Sequence, residues 1–192
     1  MDQALIGKLA GVIAAGAFVP YIISILKGKT KPQRATFAIW SAVSIVGLVS
    51  YIASGATDTI WVIWAYTILG FIVFLLSFKY GTGGFNKLDV ICLVGAGMGI
   101  VLWIWTNNPG YALYISIFCE LLGWMPTFKK MYIDPESEDL LAWSIALFAA
   151  SLNVIAITSW KPDIAIYPLY IVITDLAAVT ILLARRKHYR RV

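Results

Sequence analysis

Three polar side chains stand inside long apolar stretches of this 192-residue chain: Glu120, Asn153 and Asp175. At a helical rise of about 1.5 Å per residue, each falls near the middle of a hydrocarbon layer about 30 Å thick. A carboxyl group placed there costs about 2.5–3.5 kcal/mol and therefore normally faces protein or water rather than lipid. We expect the three side chains to meet in a polar pocket inside a helical bundle.

The two acids suggest proton exchange. No Lys or Arg of the same stretches lies at that depth to neutralise them. A carboxyl that binds and releases a proton as a cavity changes sides couples transport to protons. Two alternatives stay open: the acids pair with a cationic cargo, or they are protonated structural groups bonded to a neighbouring helix. Asn153 is a candidate cargo contact, although amides also join helices.

Two prolines are candidate gating hinges. Pro20 and Pro126 lie inside apolar stretches, one to two turns from the ends of the predicted helices. A proline removes one backbone hydrogen bond and loosens the adjoining turn, so bending there opens or closes a gate. A permanent kink is the alternative.

The composition is that of an integral membrane protein. Hydrophobic residues make up 60% of the chain and charged residues 13%, with a mean hydropathy of +0.83. A soluble domain of this size could not bury so much apolar surface. We expect no cleavable signal peptide, and seven stretches are long enough to span or nearly so. They run over Leu5–Leu26, Ala35–Ala53, Ile60–Phe78, Leu88–Trp105, Tyr111–Phe128, Leu140–Ser159 and Ile164–Ala184.

Loop charges predict the orientation. With seven spans, thirteen Lys and Arg residues fall on one side and two, Lys8 and Lys161, on the other. Basic loops stay in the cytoplasm, so the N-terminus is predicted outside and the C-terminus inside the plasma (inner) membrane. The basic tail from Arg185 to Arg191 suits an anionic inner leaflet. The acidic loop with Asp134, Glu136, Glu138 and Asp139 is predicted to be solvated surface.

An internal repeat organises the spans. Pro32 and Trp40-Ser41 recur 103 residues later as Pro135 and Trp143-Ser144, and Pro20 recurs as Pro126 at an offset of 106. Two parallel three-span units need a single crossing between them, which the fourth stretch supplies. The predicted fold is therefore all-α and membrane-integral, with two three-helix repeats joined by a linker helix (3+1+3). The units are residues 1–80, a linker at 81–108, and 109–192 with the basic tail.

This plan resembles the PQ-loop superfamily of seven-helix transporters, which includes the SWEET sugar transporters, cystinosin-type amino-acid exporters and the KDEL receptor. The resemblance is carried by Pro126-Thr127-Phe128 and the following Glu136-Ser137-Glu138, matched in the first half by Val19-Pro20-Tyr21 and Lys29-Thr30-Lys31. We identify the chain as resembling a prokaryotic-type member of that superfamily.

The resemblance implies further pocket residues. Thr67 and the Thr174-Asp175 pair lie nearest the places where SWEET proteins carry substrate-facing asparagines, and Tyr51 matches an aromatic pocket position of the family. Those asparagines are missing here, so a preference for sugar is not implied.

We expect a transporter of a small polar solute, such as a sugar, an amino acid or a similar metabolite, working by alternating access with proton coupling through Glu120 and Asp175. A receptor or ligand-binding protein of the same fold that moves nothing is the alternative. No nucleophile–base pair, metal-ligand cluster or nucleotide motif is apparent, so neither an enzyme nor a cofactor is expected. The expected partners are the solute and the lipid bilayer, not nucleic acid, and a homo-oligomer is compatible with the sequence.

Overall fold

The computed structural model of the chain describes residues 2–84 and 87–189, and seven α-helices lie in those ranges. Arg190 and Arg191 of the basic tail lie outside the described residues. The helices are α1 (Gln3–Leu26), α2 (Arg34–Ala53), α3 (Ile60–Tyr80), α4 (Lys87–Thr106), α5 (Pro109–Ile133), α6 (Leu140–Ile155) and α7 (Pro162–Tyr189).

Local sequence accounts for several helix starts. Asp2, Asn108 and Asp139 each stand at an N-cap, where the side chain accepts a hydrogen bond from a backbone N–H of the first turn at 2.9–3.0 Å. Such caps satisfy donors that have no partner inside the helix. Pro109 follows its cap at the first helical position, where a missing N–H costs nothing.

Apart from α7, which continues to Tyr189 rather than ending at Ala184, two helix ends differ from the sequence-based prediction by more than three residues. Helix α5 continues to Ile133 rather than ending at Phe128, so Pro126 lies about two turns from its end instead of one. Helix α6 ends at Ile155 instead of Ser159, because the chain turns at Ala156 towards Thr158, which donates to the Asp58 carboxylate at 3.1 Å. Apolar composition alone did not reveal either boundary.

Five of the described helices are long and apolar enough to cross a membrane: α1, α2, α3, α5 and α7. The described apolar part of α4, Gly97–Thr106, and the 16-residue α6 are shorter. Large apolar side chains cover the outer faces of the bundle, and Ile104 and Trp105 are 77% and 83% exposed. Such a surface suits a lipid environment.

The helices pack in a repeated pattern. Helix α1 lies against α6 and α3, and α2 lies against α5 and α3. Helix α7 packs against both α6 and α5, while α4 covers α5 and reaches α2. The α1–α3 contact is close because Gly11 stands where a Cβ atom would overlap Trp61.

Contacts between loops define the two ends of the bundle. At one end, which we call the basic end, Arg34 donates to the carbonyl oxygens of Ser77 and Gly83, and the Lys31 N–H donates to the Ser137 carbonyl at 3.1 Å. The end of α7 joins them through Arg186, which donates to the Pro135 carbonyl. The opposite end holds the α2–α3, α4–α5 and α6–α7 connections.

Candidate functional site

A central cavity of about 90 Å³ lies where six helices meet. Its described lining residues come from α1, α2, α3, α5, α6 and α7, and α4 contributes none of them. Among the lining residues are both acids singled out in the sequence, Glu120 and Asp175.

Both acids are held by aromatic side chains. Glu120 on α5 is 5% exposed and shares a side-chain hydrogen bond with Tyr170 of α7. Asp175 on α7 is 1% exposed, and its Oδ2 accepts from the Tyr66 hydroxyl of α3 at 3.2 Å. Each acid is thus joined to a neighbouring helix and points into protein rather than lipid, as intramembrane carboxyls generally do.

Five aromatic side chains form a closed collar around the cavity, between the acids and the basic end. Going round the collar, the ring centroids of Tyr21, Phe37, Trp40, Trp124 and Trp143 are 6.0, 5.2, 4.7, 5.2 and, back to Tyr21, 5.9 Å apart. Three of the five contacts are edge-to-face, and these spacings and orientations are those of favourable aromatic pairs. Trp124 stands one turn beyond Glu120 on α5, so the collar separates Glu120 from the basic end.

Between the collar and the basic end lies Glu138. The sequence-based prediction that this residue is solvated is wrong. The residue is 2% exposed, and its Oε2 accepts from the Tyr21 hydroxyl and the Trp143 indole N–H, both at 3.0 Å. Its other oxygen pairs with the Lys130 ammonium group, which also donates to the Lys31 carbonyl. We call these four side chains (Tyr21, Lys130, Glu138 and Trp143) the Glu138 network. Asp134 and Glu136 of the same loop are exposed as predicted.

At the opposite end, Tyr51 joins the two halves of the bundle. Its hydroxyl donates to the Ile164 carbonyl of α7 at 2.7 Å and lies 2.6 Å from the Thr59 hydroxyl. Pro168 explains why that carbonyl is available: proline has no N–H with which to continue the helical ladder back to Ile164. Tyr51 is completely buried and does not line the cavity, although the sequence analysis placed it in the pocket.

Three other predicted pocket residues also lie away from the cavity lining. Thr67 donates to the Ile63 carbonyl and Thr174 to the Tyr170 carbonyl, so both hydroxyls bond their own helices. Asn153 is completely buried and lies in the last turn of α6. Neither atom of its amide has a hydrogen-bond partner among the described residues.

The two candidate hinges lie within continuous helices. Helix α1 runs through Pro20 to Leu26, and α5 runs through Pro126 to Ile133. Each proline lies close to a collar residue. Pro20 directly precedes Tyr21, and Pro126 lies two residues after Trp124. Bending at either proline would therefore move a collar residue.

The site contains residues that sequence reasoning missed. The collar tryptophans were overlooked as site residues, although Trp40 and Trp143 are related by the 103-residue repeat. Tyr170 carried no distinguishing signal, because it is one of several tyrosines in an apolar stretch. Glu138 stands directly before the N-cap Asp139, and its burial depends on Tyr21, 117 residues away.

The hydrogen-bond donors of the lining are largely used within the protein. The indole N–H groups of Trp40, Trp124 and Trp143 go to the Glu120 carbonyl oxygen, the Tyr170 hydroxyl and Glu138, respectively. What remains along the lining is mainly aromatic rings and the two carboxyls. Ser44 is an exception, because its buried hydroxyl has no partner among the described residues.

Comparison with known proteins finds no matching protein family, no similar curated protein and no similar solved structure.

Proposed function

We propose that the chain is an integral membrane transporter of a small polar solute, working by alternating access with proton coupling through Glu120 and Asp175. The observation that carries the proposal is the central cavity, which six helices share and which holds two buried carboxyls. Because both carboxyls are almost completely buried, cargo reaches them only when one end of the bundle opens. Transporters of repeated construction bind their cargo near the midplane in this way.

The 3+1+3 plan is part of the proposal, and the helix packing supports it. If α1, α2 and α3 correspond to α5, α6 and α7, then the α1–α6 interface corresponds to α5–α2. Both interfaces are tight: Ala14 and Ala149 share one buried cluster, and the Thr36 and Thr127 hydroxyls lie 3.0 Å apart. The resemblance to PQ-loop transporters, drawn from short motifs, agrees with the same plan.

The proposed orientation puts the basic end in the cytoplasm of a cell with a plasma (inner) membrane. The Glu138 network then closes the cytoplasmic side, and the Tyr51 contacts close the outer side. Lys and Arg are concentrated in the loops of the basic end, as the positive-inside rule requires. Pro20 and Pro126 are the proposed hinges for opening that side.

Counterflow into vesicles tests the function. Purified protein reconstituted with a panel of sugars, amino acids and cations should exchange at least one labelled solute, and a pH step should change the rate. Glu120→Gln and Asp175→Asn should each remove the pH dependence, whereas Glu136→Gln, which alters an exposed acid, should not. If either neutral variant kept full exchange and its pH response, that acid would be structural.

The non-transporting receptor of the same fold gives a different outcome in the same preparation. A receptor would bind a solute of the panel, and the binding would depend on the cavity residues, but counterflow would be absent. Binding with counterflow supports the transporter.

A further inference from the structure

We infer that the cavity recognises the cationic head of an organic cation, such as an amine, a quaternary ammonium or a guanidinium group. The inference rests on the proposed function, since it names the cargo class of the same cavity. It requires that the cavity attract positive charge, offer surfaces that suit a weakly hydrated cation, and lack what a neutral sugar would need.

The charge of the lining is one-sided. Of the 17 described lining residues, Glu120 and Asp175 are the two that carry carboxyls, and none of the 17 is Lys, Arg or His. On the side of the basic end, the charged groups next to the lining are Glu138 and Lys130, and these two form an ion pair. A cation entering this space meets negative charge on α5 and α7 and no opposing positive charge in the described lining.

The remaining surface is aromatic. Nine of the 17 described lining residues are Phe, Tyr or Trp, contributed by all the lining helices. The face of an aromatic ring attracts a cation, most strongly for Trp and when water is excluded, and aromatic cages are a recurrent way to hold ammonium groups. All three tryptophans of the collar, Trp40, Trp124 and Trp143, line the cavity.

A neutral polyhydroxylated cargo finds few free donors in the described lining, the Ser44 hydroxyl being one of them. A sugar needs donors as well as acceptors, yet all three collar indole N–H groups are already bonded within the protein. The Tyr21 and Tyr66 hydroxyl protons are likewise committed, to Glu138 and Asp175. An organic cation needs no donor from the protein, because it supplies its own positive charge to the carboxyls.

The size of the cavity agrees with a cationic head rather than a whole large solute. A volume of about 90 Å³ is smaller than the cavity of about 150 Å³ that holds one benzene molecule in an engineered protein core. The carboxyls that bind the cation are those proposed to exchange protons, so cation and proton compete for them. The titratable groups that face these acids are Tyr167 and Tyr170 from α7 and Tyr66 from α3.

Binding to isosteric pairs tests the inference without requiring transport. The probes are guanidinium against urea, and choline against its neutral analogue in which a tert-butyl group replaces trimethylammonium. Each is titrated at millimolar concentration into the purified full-length protein in lipid nanodiscs. The readouts are tryptophan fluorescence and calorimetry.

We expect at least one cation to bind about thirtyfold or more tightly than its neutral partner, as a desolvated cation–π contact allows. Glu120→Gln and Asp175→Asn should weaken that binding, Trp124→Leu should weaken it more than Trp124→Phe, and Glu136→Gln should leave it unchanged. Equal binding of both members of each pair, or binding of neither cation, would overturn the inference. Cation binding without counterflow would instead contradict the transport proposal and leave the cation site standing.

Discussion

At the scale of the residue, Glu138 shows how burial changes the role of an acid. It belongs to a loop with four acids within six residues, and the sequence treats all four alike. In the structure it is enclosed by Tyr21 of α1, Lys130 of α5 and Trp143 of α6. One carboxylate thus joins the first half of the bundle to the second at the basic end.

Removing the charge of Glu138 should destabilise the protein. Glu138→Gln leaves Lys130 without its partner, and breaking a buried ion pair from one side costs about 3 kcal/mol or more. Glu136→Gln, in the same loop but exposed, should stay within about 0.5 kcal/mol of the wild type. Equilibrium unfolding in detergent measures both free energies.

Changing Lys130, the other member of the ion pair, completes a double-mutant cycle with Glu138. Lys130→Met combined with Glu138→Gln should cost less than the sum of the two single changes, because no uncompensated charge remains. Additive costs would mean that the ion pair contributes nothing to closing the basic end.

At the scale of the helix, Pro168 illustrates how an interruption in one element creates a bond to another. The proline leaves the Ile164 carbonyl without its usual partner in the helix, and Tyr51 of α2 donates to it. The sequence shows the proline and the tyrosine but not that they belong together. The contact depends on the way α2 and α7 meet at the end opposite the basic end.

The Tyr51 hydrogen bond should contribute less to the unfolding free energy once α7 has its own N–H for the Ile164 carbonyl. Tyr51→Phe leaves the buried Ile164 carbonyl unpaired and should cost about 1–3 kcal/mol of unfolding free energy. In a Pro168→Ala background, the new alanine would supply the missing N–H, so the same change should cost less. Thermal or denaturant unfolding of the four proteins gives the coupling energy, with Tyr111→Phe, an exposed tyrosine, as the neutral control.

The hinge proposal concerns the helices that carry the collar. Pro126→Ala restores a backbone N–H that can bond the Leu122 carbonyl of α5, which stiffens the turn that carries Trp124. Solute counterflow should therefore slow several-fold while binding affinity hardly changes. Pro109→Ala, at the start of the same helix, should affect neither. A loss of affinity with an unchanged counterflow rate would indicate that Pro126 shapes the pocket rather than moving it.

At the scale of the whole molecule, the sequence predicted the helices better than the contacts between them. The apolar stretches predicted seven helices, and most predicted ends lie within a few residues of those in the structure, because the length of an apolar stretch is a local property of the sequence. Glu120 and Asp175 stood out for the same reason, since a carboxyl inside an apolar run is visible without a structure. The burial of Glu138 and the position of Tyr51 outside the cavity lining were not predicted, because the surroundings of both residues are built from helices that are distant in sequence.

The proposed topology makes a prediction about the two termini. Helix α6 has 16 residues and the described apolar part of α4 is short, yet both must cross if the repeats are parallel. Seven crossings put the termini on opposite sides of the membrane, and the basic loops put the C-terminus in the cytoplasm. A fluorescent protein that matures only in the cytoplasm should therefore glow when fused after Val192 and stay dark before Met1. Bright signal from both fusions would mean an even number of crossings, in which case the two triplets could not be parallel copies.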